Sequence, residues 1–116
     1  MIFPRVKPIT RKRLSQLERD FNGRKYQEWR NYILNRDDNT CQYPNCSEKN
    51  DLQVHHIKRF ASNKHLKTAT YNGISLCVKH HKMIYNKEKF YEMLFFKITR
   101  HNEKIYKEKL NGKEKT

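Results

Sequence analysis

Two stretches decide how the chain is read: Leu52-Gln53-Val54-His55-His56-Ile57 and Asn72-Gly73-Ile74-Ser75-Leu76-Cys77-Val78-Lys79-His80-His81. Short apolar runs bounded by turn residues predict two strands, about Leu52 to Ile57 and Ile74 to Leu76. The polar, lysine-rich segment from Lys58 to Tyr71 predicts a loop, and a helix is expected from near Val78. The result is a β-β-α hairpin with two imidazoles ending the first strand, an Asn before the second and a His on the helix. Adjacent strand residues point to opposite faces, so His55 and His56 should not hold one ion together. One can ligate while the other faces a substrate, and parity alone does not say which. Such a grouping suggests a divalent-metal site with a spare His beside it, the equipment that phosphodiester cleavage needs.

Upstream, Lys25 to Arg36 predicts an amphipathic helix, with Tyr26, Trp29, Ile33 and Arg36 at helical spacing and Tyr32 and Leu34 widening the stripe. Trp29 is expected to be a core anchor, and Asp37-Asp38-Asn39-Thr40 ends the helix in turn residues. Residues 1–23 read as a basic arm that becomes helical. Pro4 and Pro8 keep its start extended, and Arg5, Lys7, Arg11, Lys12 and Arg13 crowd it. It could lie along a DNA backbone or be a solvated tail. Downstream of Asn86, Phe90, Met93, Leu94, Lys97 and Ile98 follow at i, i+3, i+4, i+7 and i+8, which predicts a helix packed back on the first. Lys104 to Thr116 reads as a mixed-charge tail that frays. The expected architecture is α+β in one domain: the arm at 1–23, a centre at 24–86, and a C-terminal helix and tail at 87–116. No internal repeat is visible.

Charge is the strongest compositional signal. Lys and Arg number 26 against 12 Asp and Glu, a formal balance of +14. An excess of this size favours a polyanionic partner, because each cation set against a phosphate releases condensed counterions. Residues 1–36 carry 10 basic and 3 acidic side chains, residues 37–86 carry 7 and 4, and residues 87–116 carry 9 and 5. The first third is therefore the better candidate for phosphate contacts. With 35% apolar residues and a mean hydropathy of −1.13, the core will be small, and a metal is expected to help hold it together. No apolar leader or membrane span is visible, and Cys41, Cys46 and Cys77 are an odd set for a disulfide scaffold. The expectation is a reducing, cytoplasmic setting with no membrane partner.

Those cysteines fall into a pattern with a histidine. Cys41-x4-Cys46 and Cys77-x2-His80 are two short chelating pairs separated by 30 residues. Zinc takes four soft or borderline donors in a tetrahedron, and two clipped loops supply them with little strain. Cys41, Cys46, Cys77 and His80 are thus expected to form a structural zinc knuckle with no position left for substrate. It would tie the end of the Trp29 helix to the start of the helix near Val78.

Together these residues resemble the HNH endonucleases, which have the ββα-metal fold, over about Trp29 to Tyr85. The likeness rests on Trp29-Arg30, Arg36-Asp37 before the first Cys, His55-His56-Ile57, Asn72-Gly73-Ile74, and Leu76-Cys77 with His81. Small stand-alone chains of this pattern look like those of phages and mobile elements, which for this chain would mean the host-cell cytoplasm. The resemblance implies that His55 ligates a catalytic divalent metal and that His81 is its second protein ligand. It also implies that His56 is the general base for the attacking water, and that Asn72 braces the loop orienting that base. Many family members carry a further ligand His one turn after the last, where this chain has Tyr85. Water would complete the shell, which suits readily exchanged Mg²⁺ or Mn²⁺.

The expected activity is hydrolysis of DNA phosphodiester bonds, by nicking or double-strand cutting, to 5′-phosphate and 3′-hydroxyl ends. The Lys58-Arg59 pair and the arm at residues 5–13 would hold the backbone. Phosphate contacts position without specifying sequence, so weak selectivity is expected unless a protein partner supplies more. A monomer would nick; double-strand cutting needs a homodimer or two successive nicks. The alternative is a zinc-knuckle nucleic-acid-binding protein without catalysis. The His55, His56, Asn72 and His81 set discriminates, since a binder has no use for it. His65 and His101 receive no role.

Overall fold

A computed structural model describes residues 10–59 and 64–114. It is an α+β arrangement of one two-stranded sheet and three helices. Helix α1 (Arg11–Arg36) leads through a loop to strand β1 (Gln53–His56). Two single-turn 3₁₀ segments, Lys64–Lys67 and Thr70–Asn72, follow. Strand β2 (Gly73–Leu76), helix α2 (Val78–Met83) and helix α3 (Glu88–Glu114) complete the chain.

The first helix begins far earlier than its apolar pattern suggests. The Thr10 hydroxyl accepts from the Arg13 amide at 3.2 Å, an N-cap that satisfies one of the first-turn donors. The helix then runs through Gly23 without a break, so residues 23 and 24 mark no structural boundary. Side chains from Arg11 to Glu28 are exposed, and only Trp29, Ile33 and Arg36 are buried. The anchoring stripe is thus as expected, except that Tyr26 lies at its exposed edge. Left-handed backbone at Asp38 and Asn39 (φ 56° and 48°) turns the chain out of the helix.

The strands pair antiparallel, with His55 opposite Ile74 and His56 opposite Gly73. β2 is buried on both faces, between α1 and α3. Gly73 is required here by crowding: an added Cβ would stand 2.6 Å from Trp29 Cζ2 and still closer to Ile33 Cδ1. The core comprises Cys41, Ile57, Ile74, Leu76, Cys77, Ile84 and Phe95, with Trp29 and Ile33 buried on the α1 side.

Two expectations for the C-terminal part fail. Phe90 and Met93, assigned to the buried stripe, are 81% and 75% exposed, whereas Phe95 is fully buried. The inward face is Tyr91, Phe95, Ile98, Thr99, Asn102 and Glu103, rotated from the one the apolar residues suggested. The run Met93-Leu94-Phe95-Phe96 allows more than one face to point inward, and polar contacts accompany the one adopted. Asn102 donates to Asp37 and Gln42, Glu103 accepts from Arg36 and Tyr32, and Thr99 donates to the Tyr71 carbonyl. Nor does the helix stop near Lys104: it continues to Glu114.

Beneath these contacts lies a buried ion pair. Arg36 Nε meets Asp37 Oδ1 at 2.8 Å with both side chains fully buried. Its remaining donors reach the Thr70 carbonyl at 2.8 Å, the Gly73 carbonyl at 2.7 Å and Glu103 at 3.1 Å. Asp37 also accepts the Ser75 amide at 3.0 Å. A buried ion pair persists only when its remaining donors and acceptors are satisfied, and here three elements are tied to one guanidinium.

Candidate functional site

The chain after α1 builds the first of two clusters. Asn45 takes left-handed φ (66°), and the Cys46 amide donates to the Tyr43 carbonyl at 3.0 Å, so Cys41 and Cys46 curl toward each other. Gln42 donates its amide to the Ser75 carbonyl at 2.9 Å, which fastens this loop to β2. Cys77 then caps α2 and His80 stands one turn along it. The donor atoms of Cys41, Cys46, Cys77 and His80 all lie within 4.8 Å of one another. His80 Nδ1 is 3.6 Å from Cys41 Sγ and 3.2 Å from Cys77 Sγ. A tetrahedral zinc ion would separate a thiolate and an imidazole nitrogen by about 3.6 Å. These four residues are positioned to bind a metal, and three sulfurs with one imidazole suit zinc.

Electrostatics around the cluster depends on burial and on the helix end. Burial pushes the Cys41 thiol up to about 11. At Cys77 burial acts the same way, but the His80 amide and the neighbouring thiols outweigh it and bring the thiol below its ordinary value. Burial, with the charge of Lys79 behind it, brings the His80 pKa below its ordinary value. Tyr43 stacks on the His80 ring, 4.2 Å between centroids and 8° from parallel, and fixes its plane.

The second cluster surrounds the end of β1. Strand alternation sends His55 and His56 to opposite sides, as expected. His55 faces α2 and α3, its ring 5.6 Å from that of His81 and 6.1 Å from that of Phe95. Its Nε2 is buried and has no hydrogen-bond partner among the described residues. Burial, then the charges of His81 and His56, drive the His55 pKa down to about 4, against an opposing pull from Glu88. The imidazole is therefore neutral at physiological pH. An orphaned buried ring nitrogen beside a second imidazole fits a divalent cation. Among the described residues, no third His, Cys, Asp or Glu completes a compact set with these two. Tyr85, expected one turn after His81, lies beyond the end of α2 in the following turn and is exposed.

His56 faces α1 instead. Its ring stacks on Trp29 at 4.2 Å and 13°. Its Nε2 lies 2.9 Å from the Lys67 carbonyl. A carbonyl only accepts, so Nε2 is the donor in this contact. Trp29 donates its indole N–H to the Ala69 carbonyl at 2.9 Å, so the ring that stacks on His56 also grips the loop that holds it.

Asn72 closes that loop. Fully buried, it accepts the Lys58 amide at 2.9 Å and donates to the Lys58 and Leu66 carbonyls at 3.0 and 2.9 Å. The two ends of the segment carrying Lys67 are thereby clamped together. Lys58 and Arg59 are exposed just beyond β1. Arg11, Lys12 and Arg13 form the exposed first turn of α1, and Arg5 and Lys7 lie outside the described residues. No family model, no curated protein and no solved structure matches this chain.

The sequence reading missed three participants. Arg36 and Asp37 were read as a stripe residue and a turn residue and counted toward the resemblance, but the buried bridge they form was not anticipated. Glu88 stands near His55 and Arg59. Backbone hydrogen bonds at Glu88, and then those neighbours, hold its carboxyl below the ordinary range despite some burial. A lone Glu opening a helix carries no sequence signal of that proximity. Among the described residues, no helix is long and apolar enough to cross a membrane.

Proposed function

We propose that this chain is a divalent-metal-dependent DNA endonuclease of the ββα-metal type, with Cys41, Cys46, Cys77 and His80 holding a structural zinc. One observation carries the reading. At the end of β1, one imidazole offers an unpartnered buried nitrogen next to His81, while its neighbour faces the other way and is held through Nε2 at the Lys67 carbonyl. A plain nucleic-acid binder needs neither.

In this mechanism His55 and His81 would hold Mg²⁺ or Mn²⁺. When bound there, the ion supplies positive charge for the pentacovalent phosphate and for the departing 3′ oxygen. His56 Nδ1 takes a proton from water as the water oxygen bonds to phosphorus. The P–O3′ bond breaks, and the 3′ oxygen picks up a proton from solvent. Asn72 acts one step away, by fixing the loop whose Lys67 carbonyl orients the base. Lys58 and Arg59 hold the strand that emerges past β1, and the exposed turn Arg11–Arg13 adds phosphate contacts.

The test is incubation of supercoiled plasmid with the purified chain and Mg²⁺ or Mn²⁺, beside His56→Ala and His56→Gln. Nicks should come from the parent only, with zinc content and DNA affinity retained in both variants. Equal cutting by all three would remove His56 from the chemistry. No cutting by the parent in either metal would leave the zinc-knuckle binder as the better reading.

A further inference from the structure

The mechanism leaves one strongly charged surface of α3 unused. Arg100, Lys104 and Lys107 fall at i, i+4 and i+7, on one face of the helix, and all three are exposed. With Thr70, Tyr71 and Glu103 they line a cleft of about 320 Å³. Glu103, the only acid in that lining, is turned inward. One of its carboxylate oxygens accepts from Arg36 at 3.1 Å and the other from Tyr32 at 3.0 Å. Among the described residues, none of the three cations pairs with a carboxylate. Tyr71 stands half-exposed beside them, its carbonyl held by the Thr99 hydroxyl at 3.0 Å.

We infer that Arg100, Lys104 and Lys107, with Tyr71 at their edge, form a second phosphate-binding surface that grips the duplex backbone away from the scissile bond. The inference rests on the nuclease reading above. Seven residues of helix span about 10 Å, and one strand of DNA presents a phosphate about every 3.4 Å of rise. The row therefore faces about three phosphates, one per cation. It is also rigidly joined to the catalytic end. Thr70–Asn72 links the cleft to the loop that Asn72 clamps, and Arg36 fixes the Thr70 carbonyl from beneath at 2.8 Å. Backbone contacts of this kind set the register of the duplex relative to His55, His56 and His81 without reading bases.

The test is salt-dependent binding of the full chain to a short fluorescein-labelled duplex, followed by anisotropy without added Mg²⁺ or Mn²⁺. Arg100→Gln/Lys104→Gln/Lys107→Gln is compared with Lys49→Gln/Lys79→Gln/Lys109→Gln, which removes the same charge from other faces. Each lost phosphate contact lowers the slope of log K against log salt by about 0.9, so the first triple should lose about 2.7. Its affinity near 100 mM salt should fall at least tenfold, roughly, with an unchanged melting temperature. The control should lose less than about 1 in slope. Equal losses in the two triples, or no measurable binding by the parent, would overturn the inference. A selective slope loss in a protein that cuts no DNA would keep this surface and dismiss the nuclease reading.

Discussion

Replacing Asn72 with Ala should separate the loop from the His56 imidazole that it positions. The side chain is fully buried and makes three hydrogen bonds across the ends of the 58–67 segment. Truncation leaves the Lys58 amide without an acceptor and the Lys58 and Leu66 carbonyls without donors. Each such group costs about 1–3 kcal/mol when fully desolvated. Lys58 lies at the surface edge, so the lower end applies and the expected loss is about 3 kcal/mol. Backbone bonds from Ile57 to the Asn72 carbonyl and from Asn72 to Ala69 survive, so the strands should still pair. On the proposed nuclease reading, catalysis should suffer as well, because the Lys67 carbonyl that holds His56 Nε2 loses its support. A misplacement of about 1 Å costs on the order of a hundredfold in rate. Urea unfolding with zinc retained can be followed through Trp29, the only tryptophan, which contacts both His56 and the loop. Asn72→Asp is the sharper probe, since it keeps an acceptor for the Lys58 amide but turns an oxygen toward two carbonyls. It should be no more stable than the Ala variant. A loss below about 1 kcal/mol in Asn72→Ala with cleavage intact, or full recovery in Asn72→Asp, would refute this account.

Elemental analysis should return about one tightly held zinc per chain, lowered sharply in Cys41→Ser and Cys77→Ser; a parent free of zinc after gentle purification would count against the knuckle. Gly73→Ala should cost about 1–3 kcal/mol through overpacking against Ile33 and Trp29, read as a lowered urea midpoint and shifted Trp29 emission, and an unchanged midpoint would contradict the crowding. Acid should reveal His55, whose folded value near 4 lies below the ordinary 6.5 of the unfolded chain. Between those values the unfolded state binds more protons, so stability is lost as pH falls from 6.5 toward 4. Urea midpoints across that window should slope less in His55→Gln than in the parent, and parallel slopes would show that His55 is not buried as described.

How much of this was legible beforehand depends on the range of the interactions involved. The hairpin, the helix near Val78 and the two chelating pairs follow from period, turn residues and ligand spacing, all local properties. The opposite facing of His55 and His56 follows from strand geometry alone. The sequence left open which imidazole sits where, and that was settled by neighbours far along the chain. Trp29 stacks on His56, while His81 and Phe95 flank His55. The inward face of α3 was misread because four consecutive apolar residues suit more than one rotation. The face adopted has Asn102 and Glu103 reaching Asp37 and Arg36, contacts that span more than sixty positions. Local chemistry determined the elements and the donor atoms. Their meeting points were decided by tertiary packing, because a buried polar group takes whichever distant partner satisfies it, and no local period encodes that choice.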